Sequence, residues 1–330
     1  MKTSTNLNTL KNSIYLTIGV IILITLFIFS LFIGKYPLSL SKILSGDEVQ
    51  IKVFWTLRFS RTIVGILGGF SLGIAGFVYQ TIFKNSLASP DIIGVSSGAS
   101  AGAAFGILFF SGAVSVTVSS FCGALIAVAL AITFSSLDRT DRKGTVILAG
   151  IAVHSLAQTF LMILKTMADP EKELASIEYW IMGSLNGVNS HAIPGNLVLC
   201  IACMVILFLF HRQTVLLSQD EGEAKMLGVN VFKMRLMVLI LSTLVVSAVV
   251  SLTGLISFIG LLAPHCARRL FNNNSAKTMF FSGIIGGIIL LLADILARSV
   301  AQTELPVSIF TSLLGAPFLV LLIFKRREKI

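Results

Sequence analysis

Of the chain's 330 residues, 55% are hydrophobic and only 12% are charged, and the mean hydropathy is +0.93. So oily a chain cannot clothe a water-soluble domain in polar groups, and a bilayer is its solvent. The formal net charge of +10 comes from basic residues scattered between apolar runs, a distribution that membrane topology explains and a nucleic-acid surface does not.

The first apolar run, 14–33, reaches spanning length. Gly34-Lys35-Tyr36-Pro37 follows it in place of a small-residue cleavage site, so a permanent span is expected there rather than a signal peptide. Further runs of helical length lie at 62–83, 92–110, 113–134, 145–167, 192–210, 236–253, 255–270, 278–297 and 307–324. The expectation is an all-α polytopic membrane protein of ten transmembrane helices, with one membrane domain over 1–330. With the N-terminus inside, ten crossings return the C-terminus inside and place seventeen of the 25 Lys and Arg on the interior side, as the positive-inside bias asks. The segment 168–191 is then an exterior loop and 216–229 an interior one. Gly65, Gly69 and Gly73 in the second run, like Gly98, Gly102 and Gly106 in the third, recur at four-residue steps, a face that lets helices approach closely in lipid.

Several polar groups interrupt the oily pattern. Arg58, Arg61 and Arg298 fall on the exterior side, where arginine should be scarce, and either an acidic partner surface or lipid phosphates would account for them. Asp294 lies in the ninth run, and a lone carboxylate there would be costly; Arg298, four residues later, shares its helical face and can pair with it. In the fifth run His154, Gln158 and Met162 are four apart and form a polar strip, suited to a water-filled route or to an interhelical hydrogen-bond network. In the interior loop Ser218 can cap a short helix with Glu221 three residues on and Gly228 as its stop; Ala224, Met226 and Leu227 offer an apolar surface. That stub is read as a docking element or as a connector lying on the interface.

Chemistry is sparse. Cys200 and Cys203 sit in a wholly apolar stretch without polar ligands, and adjacent His265 and Cys266 point in different directions on a helix, so neither pair reads as a metal or redox site. Pro264 and His265 read as the structural end of a helix at the interface. No GxxxxGK[ST] loop is present, so ATP hydrolysis is expected elsewhere than in this chain, and no intramembrane nucleophile–base pair has a compelling spacing.

The run LRFSRTIVGILGGFSLGIAGFVYQTIFKNSLASPDIIGVSSGASAG, followed in order by GLISFIGLLAPHCARRL, LLLADILARSV and ELPVSIFTSLLGAPFLVLLI, resembles the FecCD/BtuC-like permeases of binding-protein-dependent ABC importers for iron-siderophore, haem and cobalamin uptake. That resemblance covers nearly the whole chain. It implies a type II permease in a bacterial cytoplasmic membrane with both termini cytoplasmic, a second permease subunit, identical or related, and an extracytoplasmic binding protein that delivers a metal complex. It implies two ATPase subunits holding ATP and Mg, and no cofactor bound by this chain. By resemblance Arg58, Arg61 and Arg298 meet acids of the binding protein. Leu217, Asp220, Glu221, Ala224, Leu227 and Gly228 belong to the coupling segment, and Asn85 and Leu87 to the cytoplasmic gate. His154, Gln158 and Met162 line the translocation wall. The sequence departs from the family pattern at Ser60, where proline is usual, and keeps a basic residue at Lys84. The expected cargo is a ferric siderophore; the alternatives are haem or cobalamin, or a secondary transporter using Asp294.

Overall fold

The computed structural model describes residues 2–110, 112–136, 142–186, 193–219 and 221–327. Its regular structure there is helical. Helix α1 (Lys2–Phe32) is followed by the short α2 (Leu40–Leu44) and α3 (Glu48–Lys52), a π-helical stretch Val53–Phe59, and α4 (Ser60–Ile82). A 3-10 turn, Pro90–Ile93, leads into α5 (Val95–Phe109), and α6 (Ala113–Ser136), α7 (Arg142–Met167), α8 (Glu173–Met182) and α9 (Ile193–Leu209) follow. The chain continues through the stubs α10 (His211–Leu216) and α11 (Glu221–Met226) to α12 (Val231–Thr253), α13 (Ile259–Phe271), α14 (Ala276–Ser299) and α15 (Val307–Arg327).

Each of the ten expected apolar runs falls on a helix, yet they are unequal in length. Among the described residues six helical stretches are long and apolar enough to cross a bilayer: Lys11–Phe32, Glu48–Ile82, Ala113–Ser135, Leu148–Met167, Val231–Thr253 and Ala276–Ser299. Val95–Phe109 and Ile193–Leu209 are apolar but shorter among those residues, and the first 15 residues of α15, Val307–Leu321, are apolar as well. At a rise of ~1.5 Å per residue, the 13 residues of α13 reach roughly 20 Å, well short of the ~30 Å hydrocarbon layer. The run 255–270 opens instead with non-helical backbone, and Phe258, just before α13, is left-handed at φ 69°. Irregular backbone is tolerated at membrane depth where protein or a cavity covers it.

Helix α4 is the centre. Its side chains Ile74, Phe77, Val78 and Tyr79 are fully buried, and it packs on α12, α13 and α14. Glycine makes the closest of these contacts possible. A Cβ on Gly69 would lie 2.3 Å from the carbonyl oxygen of Gly286, and one on Gly73 2.2 Å from that of Ser282, so α4 and α14 touch backbone to backbone. Gly65 differs from the other two: its nearest neighbour is the side chain of Leu291, at 3.2 Å from such a Cβ, so it is not part of the backbone seam. Helices α5 and α6 make a second seam, with Gly98 against Gly123, Gly102 against Ser119 and Gly106 against Val116. That descending register is antiparallel and runs from Gly98 to Gly106 along α5.

Candidate functional site

At one end of α4 the π-helical stretch and the first turn of the helix carry Arg58 and Arg61, while the last turns of α14 carry Asp294 and Arg298. All four are buried, with exposures of 7%, 8%, 0% and 2% in that order. Arg61 Nε donates to Asp294 Oδ1 at 2.8 Å and its Nη1 to Glu304 Oε2 at 2.8 Å. Arg298 Nη2 lies 2.8 Å from Asp294 Oδ2, and Arg61 Nη2 2.8 Å from Oδ1, as ion pairs without hydrogen-bond direction. The remaining donors turn to the end of α1. Arg298 reaches Ile33 O at 2.9 Å, Ser30 O at 3.2 Å and Ser30 Oγ at 2.7 Å; Arg58 reaches Ile33 O at 2.5 Å and Tyr36 O at 3.2 Å. A helix end leaves carbonyls without intrahelical donors, and here two guanidinium forks supply them. Gly34 leaves the room, since a Cβ there would sit 1.4 Å from Arg58 Nη1.

The Asp294–Arg298 pair is present, and Arg58, Arg61 and Arg298 are held by partners within the chain; Arg58 and Arg61 also line an open cavity of about 310 Å³ with Lys35 and Glu304. The physical reason is the buried carboxylate of Asp294 and the orphan carbonyls of α1, which draw the cations inward. Glu304 and Ser30 were not singled out from the sequence; the only hint was the excess of arginine over acid at this end.

At the opposite end of α4, Lys84 turns the chain with a left-handed backbone at φ 48°. Asn85 Oδ1 accepts from Leu87 N at 3.0 Å, which holds a tight turn whose tip, Leu87, is exposed. Behind it Arg268 of α13 donates to Gln80 Oε1, to Thr81 Oγ1 at 2.9 Å and to Phe77 O at 3.1 Å, with its guanidinium 4.6 Å over the Phe77 ring. Arg268 thereby joins α13 to the end of α4. His265 stacks edge-on with Phe318 of α15 at 5.5 Å and Pro264 is buried, so both hold α13 in place.

Close by lies the stub pair α10 and α11. Leu217 and Ala224 are buried, whereas Met226 and Leu227 are 90% and 64% exposed. Glu221 Oε1 accepts from Arg235 Nη2 of α12 at 2.8 Å, and Gly228, at φ 79°, ends α11. One expectation changes here. Ala224 belongs to the inner face rather than to the exposed one, while Ser218 Oγ donates to Val215 O at 2.7 Å at the end of α10. Asp220 lies outside the described residues.

The strip on α7 is divided. His154 and Gln158 line a cavity of about 290 Å³ together with Ser89, Asp91, Ser96 and Ser257, and Ser96 Oγ donates to Asp91 Oδ1. Met162 stands outside it on an exposed face, and Asn85 and Leu87 do not line it. The non-helical approach to α13 contributes Leu255, Ser257 and Phe258 to the wall, which is where irregular backbone is tolerated. Asp91 escaped the sequence reading because nothing in its local pattern places it opposite His154, 63 residues later. Among the described residues no group of three or more His, Cys, Asp or Glu could hold a metal ion, and Cys200 Sγ contacts Val245 O at 3.7 Å as a packed thiol.

Comparison with known proteins completes the site's description. The permease protein of a molybdate import system of Haemophilus influenzae is 33% identical over 93% of this chain and 94% of its own length. The permease protein of a cobalamin import system of Halobacterium salinarum is 35% identical, covering 86% of this chain and 76% of its own. A solved structure described as an inward-facing conformation of a putative metal-chelate type ABC transporter superposes with a TM-score of 0.86 at 33% identity, over 95% of this chain and 99% of that one. Residues 22–325 match the FecCD transport family, and with backbone seams, inner turn and stub helices running through that whole stretch, the chain belongs to it.

Proposed function

We propose that the chain is the permease of an ATP-driven importer that moves a metal-bearing solute across a cytoplasmic membrane by alternating access. Membership of the FecCD family supports the permease role, which is a transport component and not an enzyme. Relatives of nearly equal identity are named for molybdate and for cobalamin, so the cargo is drawn as a metal complex in general, and the preference for a ferric siderophore is given up in favour of that wider class with cobalamin and haem inside it. The partners in this reading are a second permease subunit, a binding protein outside and two ATPases inside that hold ATP and Mg. The ten-crossing arrangement with both termini cytoplasmic is part of the same reading. It draws support from the α5–α6 seam, because a 15-residue helix, roughly 22 Å long, lies in antiparallel register along a helix of spanning length.

The observation that carries the reading is the division of the 216–229 segment into a buried inner face and an exposed apolar tip at Met226 and Leu227. A large apolar side chain held out on a stub beside the basic, interior flank fits a groove on a partner ATPase. Anchors of this kind contribute about 2 kcal/mol or more each, so Met226→Asp with Leu227→Asp is expected to weaken ATPase association by roughly 30-fold if one anchor dominates and about 900-fold if the two add, while the permease stays membrane-inserted. Undiminished ATPase recovery with the double variant would remove the coupling assignment. A secondary transporter built on Asp294 is disfavoured, since its carboxylate is enclosed by two arginines and fully buried.

A further inference from the structure

Lys84 stands at the joint between two inner elements. It is the residue that breaks α4, its backbone is left-handed, and three residues later Leu87 forms the exposed tip of the turn. Its Nζ donates to the backbone oxygen of Gln219, in the link between α10 and α11. One side chain therefore bridges the end of α4 and the base of the stub helix. A second tether lies across the stub, where Arg235 of α12 holds Glu221 at 2.8 Å. Beneath both, Leu217 and Ala224 sit in the same apolar core as Tyr79 and Ile82 of α4 and Val231 and Met234 of α12.

These contacts differ in what they can transmit. Apolar packing is non-directional, whereas the ammonium-to-carbonyl bond adds a directional link between the Lys84 turn and the stub. We propose that Lys84 is the positioning residue that carries displacement of α11 to the Asn85–Leu87 turn, so that a push on Met226 and Leu227 moves Leu87. This rests on the reading of α11 as the ATPase contact. The role belongs to Lys84 because Gln219 offers a backbone oxygen, so its own side chain is replaceable, and because Lys84 is rigidly continuous with the turn it moves.

The test needs no cargo. Leu87→Cys is introduced into a chain whose four native cysteines are replaced, labelled with bimane, and purified as the complex with its ATPase in lipid nanodiscs. Bimane emission is read without nucleotide and with ATP plus vanadate. The parent is expected to shift on trapping. Lys84→Met is expected to keep ATPase association and ATP hydrolysis but to lose at least about four-fifths of the shift, and Lys84→Arg to restore it. Lys84→Ala, which leaves no side-chain donor, is the second variant should Lys84→Met not assemble, with the same loss expected. A full bimane response in either neutral variant overturns the proposal, and so does loss of the ATPase from both, which would make Lys84 an assembly residue. A parent chain that binds no ATPase and shows no response defeats the underlying permease–ATPase reading instead.

Discussion

Asp294 shows how much a single buried charge organises. It accepts Arg61 from α4 and faces Arg298 from its own helix, and the donors left over from those arginines and from Arg58 secure the end of α1. Removing one member of such a set leaves guanidinium groups buried and short of a partner, which costs far more than an intact pair contributes. Asp294→Ala is expected to destabilise the protein by about 3–5 kcal/mol, read as a lowered thermal midpoint in nanodiscs, and Arg61→Met added to it should recover part of the loss. An unchanged midpoint in Asp294→Ala would contradict the burial of the set. At this scale the sequence disclosed only the local half of the network. Arg298 is one helical turn from Asp294, so its pairing was legible; Arg61 is 233 residues away, and no spacing rule spans that distance.

Helices meet here by two means, and the glycines separate them. Gly73 faces a backbone carbonyl that cannot move without its helix, while Gly65 faces the end of a leucine side chain that can rotate. Gly73→Ala is therefore expected to cost about 1–3 kcal/mol by forcing α4 from α14, whereas Gly65→Ala should stay within roughly 1 kcal/mol. Thermal midpoints of the two variants measured side by side decide the point, and equal losses would deny the difference. The four-residue spacing announced a close-packed face, but not which partner it meets or that Gly65 stands apart from it. Helix lengths were misjudged for a related reason. Hydropathy marks 255–270 as one run, yet Phe258 and the residues before it leave the helix to line a cavity with Asp91 and His154, and only the surrounding elements make that exit tolerable.

For the molecule as a whole, the number of crossings has a direct readout. If α5 crosses the bilayer with α6, Leu44 and Ala113 lie on one face; if only the six long stretches cross, they lie on opposite faces. Single cysteines at these two exposed positions, in a background without the native ones, should both react with an impermeant maleimide applied from outside. Reaction of Leu44→Cys alone would rule out the ten-crossing arrangement. The Asp294–arginine set and the Lys84 turn stand at opposite ends of the long, central α4, so the motion proposed to start at α11 has a stiff element along which to travel.

Composition and the succession of apolar runs were enough to establish lipid as the solvent, the helical class, the placement of the runs and the family, because each follows from local hydropathy and from motifs read in order. The direction in which the arginines point, the partners of Asp294, the meeting of His154 with Asp91 and the tether from Lys84 to Gln219 were settled by packing. Those contacts join residues far apart along the chain, and burial leaves each cation or carboxylate no stable place except beside whichever opposite group the assembled helices bring within reach.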